Sequence, residues 1–193
     1  MRAVGDWSEG RFALVLVDIQ RKFSEATDGL RATTAARIDT INEAIRLFRD
    51  TGNPIVYVYF VGESHCTPNI EGGDELVEGL LPPRDVDLRV EKSGMNSFKG
   101  SDLKKVLDEA GCDKLLIAGM VAHYCVLATY FGAYDVGLSP YMLENGLAAT
   151  DEECIRAVER ITRSLDCGSL LINENFHGRD DGPSSEGDGC PNQ

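Results

Sequence analysis

Phe12-Ala-Leu-Val-Leu-Val-Asp18-Ile19 decides the architecture. Six apolar residues precede its first charge, with no polar alternation among them. That is the pattern of a strand covered on both faces, as in a parallel sheet with helices on either side. Downstream, Ile38, Ile41, Ile45 and Phe48 recur at i, i+3, i+7 and i+10. They mark one face of a helical period, so a helix is expected from about Thr34. Gly52 stands where a C-cap glycine belongs, and Pro54 prevents continuation. Ile55 to Val61 then reads as a second apolar strand.

The alternation continues along the chain. Gly62 to Pro83 is rich in Gly, Glu and Pro and reads as a long loop, with a short helix expected near Asp74–Leu80. Val86 to Val90 is expected as the third strand, and Ser101 to Ala110 as a helix ended by Gly111. Lys114 to Gly119 reads as the fourth strand, followed by a helix from about His123 to Tyr134. Leu138 to Leu143 is a fifth strand, weakened by Pro140. Thr150-x-x-Glu153 is a capping box opening a helix, with Ile155, Val158 and Ile161 or Leu165 inward and Gly168 at its end. Ser169 to Ile172 is expected as a sixth strand. Strands alternating with helices predict a three-layer α/β/α domain, Rossmann-like, around a six-stranded, mostly parallel sheet. This domain is expected to occupy residues 1–176. Residues 177–193 form an acidic tail without apolar periodicity, expected to be disordered.

Composition narrows the function classes. The chain has 193 residues, 42% of them hydrophobic, enough for one domain with a full core. Its formal net charge is −13, of which Asp180, Asp181, Glu186 and Asp188 against Arg179 place −3 in the tail. With no Lys/Arg stripe, a nucleic-acid backbone or an anionic bilayer would be repelled, so neither is an expected partner. Met1 to Gly10 carries charges and Gly where a signal peptide needs an apolar core, so a cytoplasmic location is expected. Cys66, Cys112, Cys125, Cys154, Cys167 and Cys190 show no CxxC and no ligand spacing, and read as free thiols in a reducing compartment. Leu115 to Tyr134 carries no formal charge over twenty residues, about the length that spans a bilayer. Gly119, Gly132, His123, Thr129 and three tyrosines interrupt it, so a buried strand–turn–helix is expected instead.

In parallel sheets of this kind, ligands bind beyond the carboxyl ends of the strands. That rule selects Asp18, the segment after Val90 and the turn after Ala118. Taken singly, Asp18 reads as a helix N-cap or loop carboxylate, Lys92 as a solvated lysine, and Cys125 as a small core residue. Taken together they suit acyl transfer. A thiol at a helix N-terminus near an ammonium is expected to have its pKa lowered from about 8.5 to roughly 3.5–7.5. A neighbouring carboxylate can take the thiol proton and return it to a leaving amine.

Three segments carry a family resemblance. Asp18-Ile-Gln20-Arg-Lys-Phe23 resembles the D-x-Q-x-x-F signature of the isochorismatase-like hydrolases. Lys92-Ser-Gly-Met-Asn-Ser97-Phe98 is similar to their K-x-x-x-x-S/A-F segment. Gly119-Met-Val-Ala-His-Tyr-Cys125-Val126-Leu-Ala-Thr129 is similar to their G-x-x-T-D-x-C-V-x-x-T nucleophile motif. The resemblance runs from about Arg11 to Asn173 and implies a cysteine-dependent amidohydrolase that forms homo-oligomers. It assigns Asp18 as general base and acid, Lys92 as electrostatic partner and Cys125 as nucleophile. The backbone N–H groups of Val121 and Cys125 would form an oxyanion hole, helped by a cis Met120–Val121 peptide. Phe23, Phe98 and Tyr124 would line the substrate pocket or serve as core aromatics. Gln20 would orient Asp18 or cap the turn. His123 would contact a substrate carboxylate, or face solvent or a subunit interface.

Departures from the pattern bear on the substrate. Ala122-His123 replaces the usual Thr-Asp and resembles true isochorismatases, which cleave a vinyl ether by acid catalysis. Those enzymes commonly carry Gly at the nucleophile position, so Cys125 favours amide chemistry. Asn145 stands where many relatives have Asp. Nicotinamidases of this superfamily bind a divalent metal through an Asp-x-His and a further His after the second strand. Here that region holds only Glu63-x-His65, short of the three or four protein ligands zinc takes, so no metal and no other cofactor is expected. The leading expectation is hydrolysis of a C–N bond in a small amide, ureide or carbamoyl compound through a Cys125 thioester. The alternatives are a vinyl-ether hydrolase using Asp18 as general acid, and a non-catalytic oligomeric binding protein that retains the fold.

Overall fold

The computed structural model describes residues 10–62, 67–172 and 176. Its centre is the opening apolar run: β1, Phe12–Val17, is buried at every position. It pairs in parallel with β2, Ile55–Phe60, on one side and with β4, Lys114–Met120, on the other. Beyond β2 lies β3, Leu88–Lys92; beyond β4 lie β5, Ser139–Ala148, and the short β6, Ser164–Leu165. The sheet order is β3-β2-β1-β4-β5-β6 and every ladder is parallel. Parallel neighbours need long crossovers; apart from the β2-to-β3 return, which has no helix among its described residues, these run through helices. They are the short α1, Arg21–Ser24, the long α2, Asp28–Asp50, then α3, Leu103–Glu109, α4, Leu127–Asp135, α5, Glu152–Ile161, and α6, Cys167–Leu171. No helix among the described residues is long and apolar enough to cross a membrane. The uncharged stretch Leu115–Tyr134 becomes β4, a π-helical turn at Ala122–Val126, and α4.

Several expected elements fall elsewhere, each for a local reason. The sixth strand is Ser164–Leu165, not Ser169–Ile172. The Asp166 side chain accepts a hydrogen bond from Ser169 N at 2.6 Å and caps a helical turn there instead. Gly168 therefore lies inside α6 and does not end α5. On α5, Ile155 and Val158 point inward as expected, whereas Ile161 is exposed and Leu165 is buried from β6. The cap of α5 is Asp151, accepting from Cys154 N at 2.8 Å, not Thr150. Helix α2 starts at Asp28 because Thr27 accepts from Leu30 N at 3.1 Å, a full turn and more before Thr34. The third strand begins at Leu88, since Asp87 closes a turn on Arg84 N at 2.7 Å and leaves Val86 outside. Asp74–Leu80 forms turns and one antiparallel bridge, Gln20 to Leu76, with no helix.

Phe176, where the domain was expected to end, is packed inside it. Its ring meets Phe12 and Phe48 edge-on at 6.1 and 5.0 Å. Its carbonyl accepts from Asn53 Nδ2 at 2.7 Å. Residues 177–193, the expected tail, lie outside the described residues.

Candidate active site

The chain runs from β1 out to β3 on one side of the sheet, then returns through β4 and proceeds to β6 on the other. The order reverses between β1 and β4, and in sheets of this kind ligands bind there, beyond the carboxyl ends of the strands. Gly119, near the end of β4, has φ +129, and a Cβ there would stand 2.1 Å from Val17 O. Its bareness lets the two central strands approach at that point. Asp18 follows β1 immediately with φ 52, a left-handed conformation that aspartate tolerates better than most residues. Its N–H donates to Val58 O at 3.0 Å, fixing the turn against β2.

Lys92 reaches the same place from the other side of β2. Val17 pairs with Val58, and Phe60 with Lys92, so Lys92 ends a strand two positions away from Asp18. Two strand spacings are roughly 10 Å, a gap that a long lysine stem and an aspartate close between them. Lys92 Nζ lies 2.7 Å from Asp18 Oδ2, with both side chains fully buried. Nζ also donates to Gly94 O and Met95 O, each at 3.0 Å. Neither Asp18 oxygen receives a well-aligned hydrogen bond from a described group. The 2.7 Å contact is a close ion pair.

Cys125 sits in the π-helical turn after β4, buried, with its thiol beside the Asp18 carboxylate. The three groups singled out in the sequence are thus brought together. One expectation about them fails. Burial first, and then the negative charge of Asp18, push the Cys125 thiol up to about 12; Lys92 pulls it down without prevailing. The ammonium is already shared with Asp18, so the pair presents little net charge to offset the cost of a buried thiolate. Asp18 itself is raised from its ordinary value, with burial outweighing Lys92, the neighbouring Cys125 thiol and Lys22. The resting site holds a neutral thiol next to a carboxylate of enhanced basicity.

Around this centre the expected residues divide. Gln20 is buried, and both its amide donors are engaged, to Phe60 O at 3.2 Å and Asp74 O at 3.1 Å. Its carbonyl accepts from Phe60 N at 2.8 Å, so it staples the ends of β1 and β2 to the following loop. Phe23 is buried against Phe60, edge to face at 5.7 Å, and Phe98 is half-buried on the core. His123 is half-buried, with Nδ1 enclosed and lacking a partner, and its ring stands 4.3 Å from that of Tyr124. Tyr124 is exposed, away from core duty. Val121 is buried at the mouth of the π-helical turn, and the Met120–Val121 peptide is cis. Glu63 and His65, the only echo of a metal pair, lie outside the described residues.

Lys22 went unnoticed in the sequence. It is buried, and Nζ contacts Asp74 Oδ1 at 2.5 Å and Phe60 O at 2.9 Å, over the rings of Phe60 and Phe23. Its charge is a second, weaker influence holding Asp18 ionised. A lone lysine in a four-residue helix has no periodic signature, so only its place inside the first motif could have flagged it.

The comparisons with known proteins agree with this geometry. The isochorismatase domain family model matches residues 12–163. An uncharacterized isochorismatase family protein of Bacillus subtilis (strain 168) is 31% identical over 144 residues, covering 72% of this chain and 78% of that protein. Among solved structures, a cysteine hydrolase from Pseudomonas syringae pv. phaseolicola 1448A is similar with a TM-score of 0.72 at 18% identity, over 86% of this chain and 94% of that one. An N-carbamoylsarcosine amidase from Thermoplasma acidophilum is similar with a TM-score of 0.68 at 24% identity, over 81% and 95% of the two chains. At such identities these two structures speak for the fold alone. The domain match and the Bacillus relative speak for descent: the chain belongs to the isochorismatase-like (cysteine hydrolase) superfamily.

Proposed function

We propose that the chain hydrolyses a C–N bond in a small amide, ureide or carbamoyl compound, through a thioester on Cys125, with release of ammonia. The observation that carries this reading is the buried mutual contact of Asp18, Lys92 and Cys125. The name of the amidase with the same fold points the same way. Because the resting thiol is neutral, its proton moves during attack. Asp18 accepts the Sγ proton as sulfur adds to the substrate carbonyl. The oxyanion is met by the N–H groups of Val121 and Cys125, at the first turn of a helix where such donors lack intrahelical partners. Asp18 then delivers its proton to the departing nitrogen, and ammonia leaves as the thioester forms. Water repeats the sequence: Asp18 takes its proton, hydroxide adds to the thioester, and the carbonyl product leaves as sulfur regains a proton from Asp18. Lys92 stays an ammonium throughout, holding Asp18 ionised between steps.

A vinyl-ether hydrolase using Asp18 as general acid is the second reading. Ala122-His123 and the raised affinity of Asp18 for its proton favour it. An ammonia-release screen over small amides and ureides, run beside a pyruvate assay and the Cys125→Ala variant, separates the two. Ammonia release abolished by Cys125→Ala supports the thioester. Pyruvate release that survives the substitution would overturn it.

A further inference from the structure

The first motif and the cysteine motif each contribute a reacting group, but the second motif contributes more than Lys92. Ser97 and Thr129 are fully buried and joined to each other across 32 residues of sequence. Ser97 N donates to Thr129 Oγ1 at 3.1 Å, and the two hydroxyls lie 2.7 Å apart. Thr129 lies four residues beyond Cys125 along the same helical path, so it sits one turn behind the thiol on a shared face. Ser97 follows closely on Gly94 and Met95, whose carbonyls receive the Lys92 ammonium.

The contacts therefore close a ring: Cys125 to Thr129 through the helix, Thr129 to Ser97 through two hydrogen bonds, Ser97 back along the loop to Lys92, and Lys92 to Asp18. A second seam runs beside it. A Cβ on Gly132 would stand 2.4 Å from the Asn96 side chain, so the loop lies directly on α4 there. Asn96 Oδ1 accepts from Phe98 N at 2.9 Å, and the Ser101 hydroxyl donates to Ser97 O, which hold the loop's own shape. Nothing in the chemistry of thioester formation calls for a hydroxyl at either position, and apolar residues would fill the same space. What apolar residues could not do is fix one register between loop and helix, because hydrogen bonds are directional where packing is not.

We propose that Ser97 and Thr129 are positioning residues that set where the Lys92 ammonium stands relative to the Cys125 thiol. The inference rests on the reading of Cys125 as nucleophile. Thr129→Val keeps the shape of the side chain and removes the acceptor, leaving Ser97 N–H buried without a partner. The loop is then free to shift on α4, and Lys92 with it. Thr129→Ser restores the oxygen.

The test is the rate of Cys125 alkylation by iodoacetamide across pH, in the full chain, with half-buried Cys154 as internal reference. With Lys92 displaced, the thiol loses the one contact that favours its ionised form. Thr129→Val is expected to slow Cys125 alkylation at pH 8 by about tenfold, equivalent to one pH step in the profile. Thr129→Ser should remain within about twofold of the wild type, and Cys154 should be unchanged in both. If Thr129 acts through Lys92, adding Thr129→Val to Lys92→Met should slow the reaction no further. A Thr129→Val chain that melts earlier but keeps the wild-type profile would overturn the inference, as would effects that multiply in the double variant. Should Thr129→Val not fold, Ser97→Ala retains the backbone bond and loses the hydroxyl pair; a profile superimposable on the wild type overturns the inference equally. Alkylation needs no turnover, so a chain that releases no ammonia from any amide sinks the amidase reading while this readout still stands.

Discussion

Replacing Lys92 with methionine should destabilise the protein by an amount that depends on pH in a calculable way. The substitution keeps most of the buried stem and removes the ammonium, so Asp18 is left fully buried with no cation in contact. Losing one partner of a buried pair typically costs about 3–5 kcal/mol. Asp18 limits its share of that loss by taking up a proton. At about 1.36 kcal/mol per pH unit, holding a carboxyl neutral costs ~4.4 kcal/mol at pH 7 against its ordinary value of 3.8, but only ~1.6 kcal/mol at pH 5. The sign follows from the folded carboxyl being raised. Its protonated form stabilises the folded state below the ordinary value, and that contribution is lost as pH rises through the folded value. Removing Lys92 raises the folded value further, so the variant goes on losing stability over a wider range of pH than the wild type. Urea unfolding at pH 5 and pH 7 should therefore show the deficit of Lys92→Met widening by up to ~2.7 kcal/mol between them. The Gly94 and Met95 carbonyls also lose a donor, which adds a part that does not vary with pH. Adding Asp18→Asn should remove the pH-dependent part. A deficit equal at the two pH values would refute the reasoning, because it would mean that no buried carboxylate depends on that ammonium.

Three further outcomes can be checked. Phe176→Ala should cost about 3–5 kcal/mol in urea unfolding, because the ring is buried between Phe12 and Phe48; a loss under about 1 kcal/mol would show that the ring is not part of the core. Gly119→Ala should cost more than ~4 kcal/mol or prevent folding, since the new methyl meets Val17 O at a backbone angle suited to glycine; a variant as stable as wild type contradicts the close approach of β1 and β4. Lys22→Met should move the acidic limb of the kcat/KM profile for ammonia release to higher pH, by less than Lys92→Met does, because Lys22 is the weaker of two cations favouring ionised Asp18. Movement toward lower pH would contradict that role.

The layer order was readable because a parallel sheet buries both faces of its strands, and unbroken apolar runs such as Phe12–Val17 and Leu115–Ala118 occur for little else. The site followed from the rule about strand ends combined with three motifs. Elsewhere the local signals are weak. A two-residue strand such as Ser164–Leu165 has no period to detect, whereas Ser-Leu-Leu-Ile just after it imitates one. The thiol's proton affinity is not legible in the sequence for a different reason. Proximity to an ammonium is legible from motif order, but whether that charge is already spent on a carboxylate depends on three-dimensional sharing. The Ser97–Thr129 contact likewise joins two motif positions whose partnership leaves no trace in spacing.

The placement of Lys92 on β3 has a kinetic corollary. That strand is the outermost of its half of the sheet, hydrogen-bonded among the described strands to β2 alone, and outer strands open more readily than central ones. Fraying of this margin withdraws the ammonium while β1 and β4 still hold acid and sulfur side by side. Under mild denaturant, catalysis should therefore fade before the domain melts. A half-made or half-undone chain would carry a cysteine with no ammonium to complete its site.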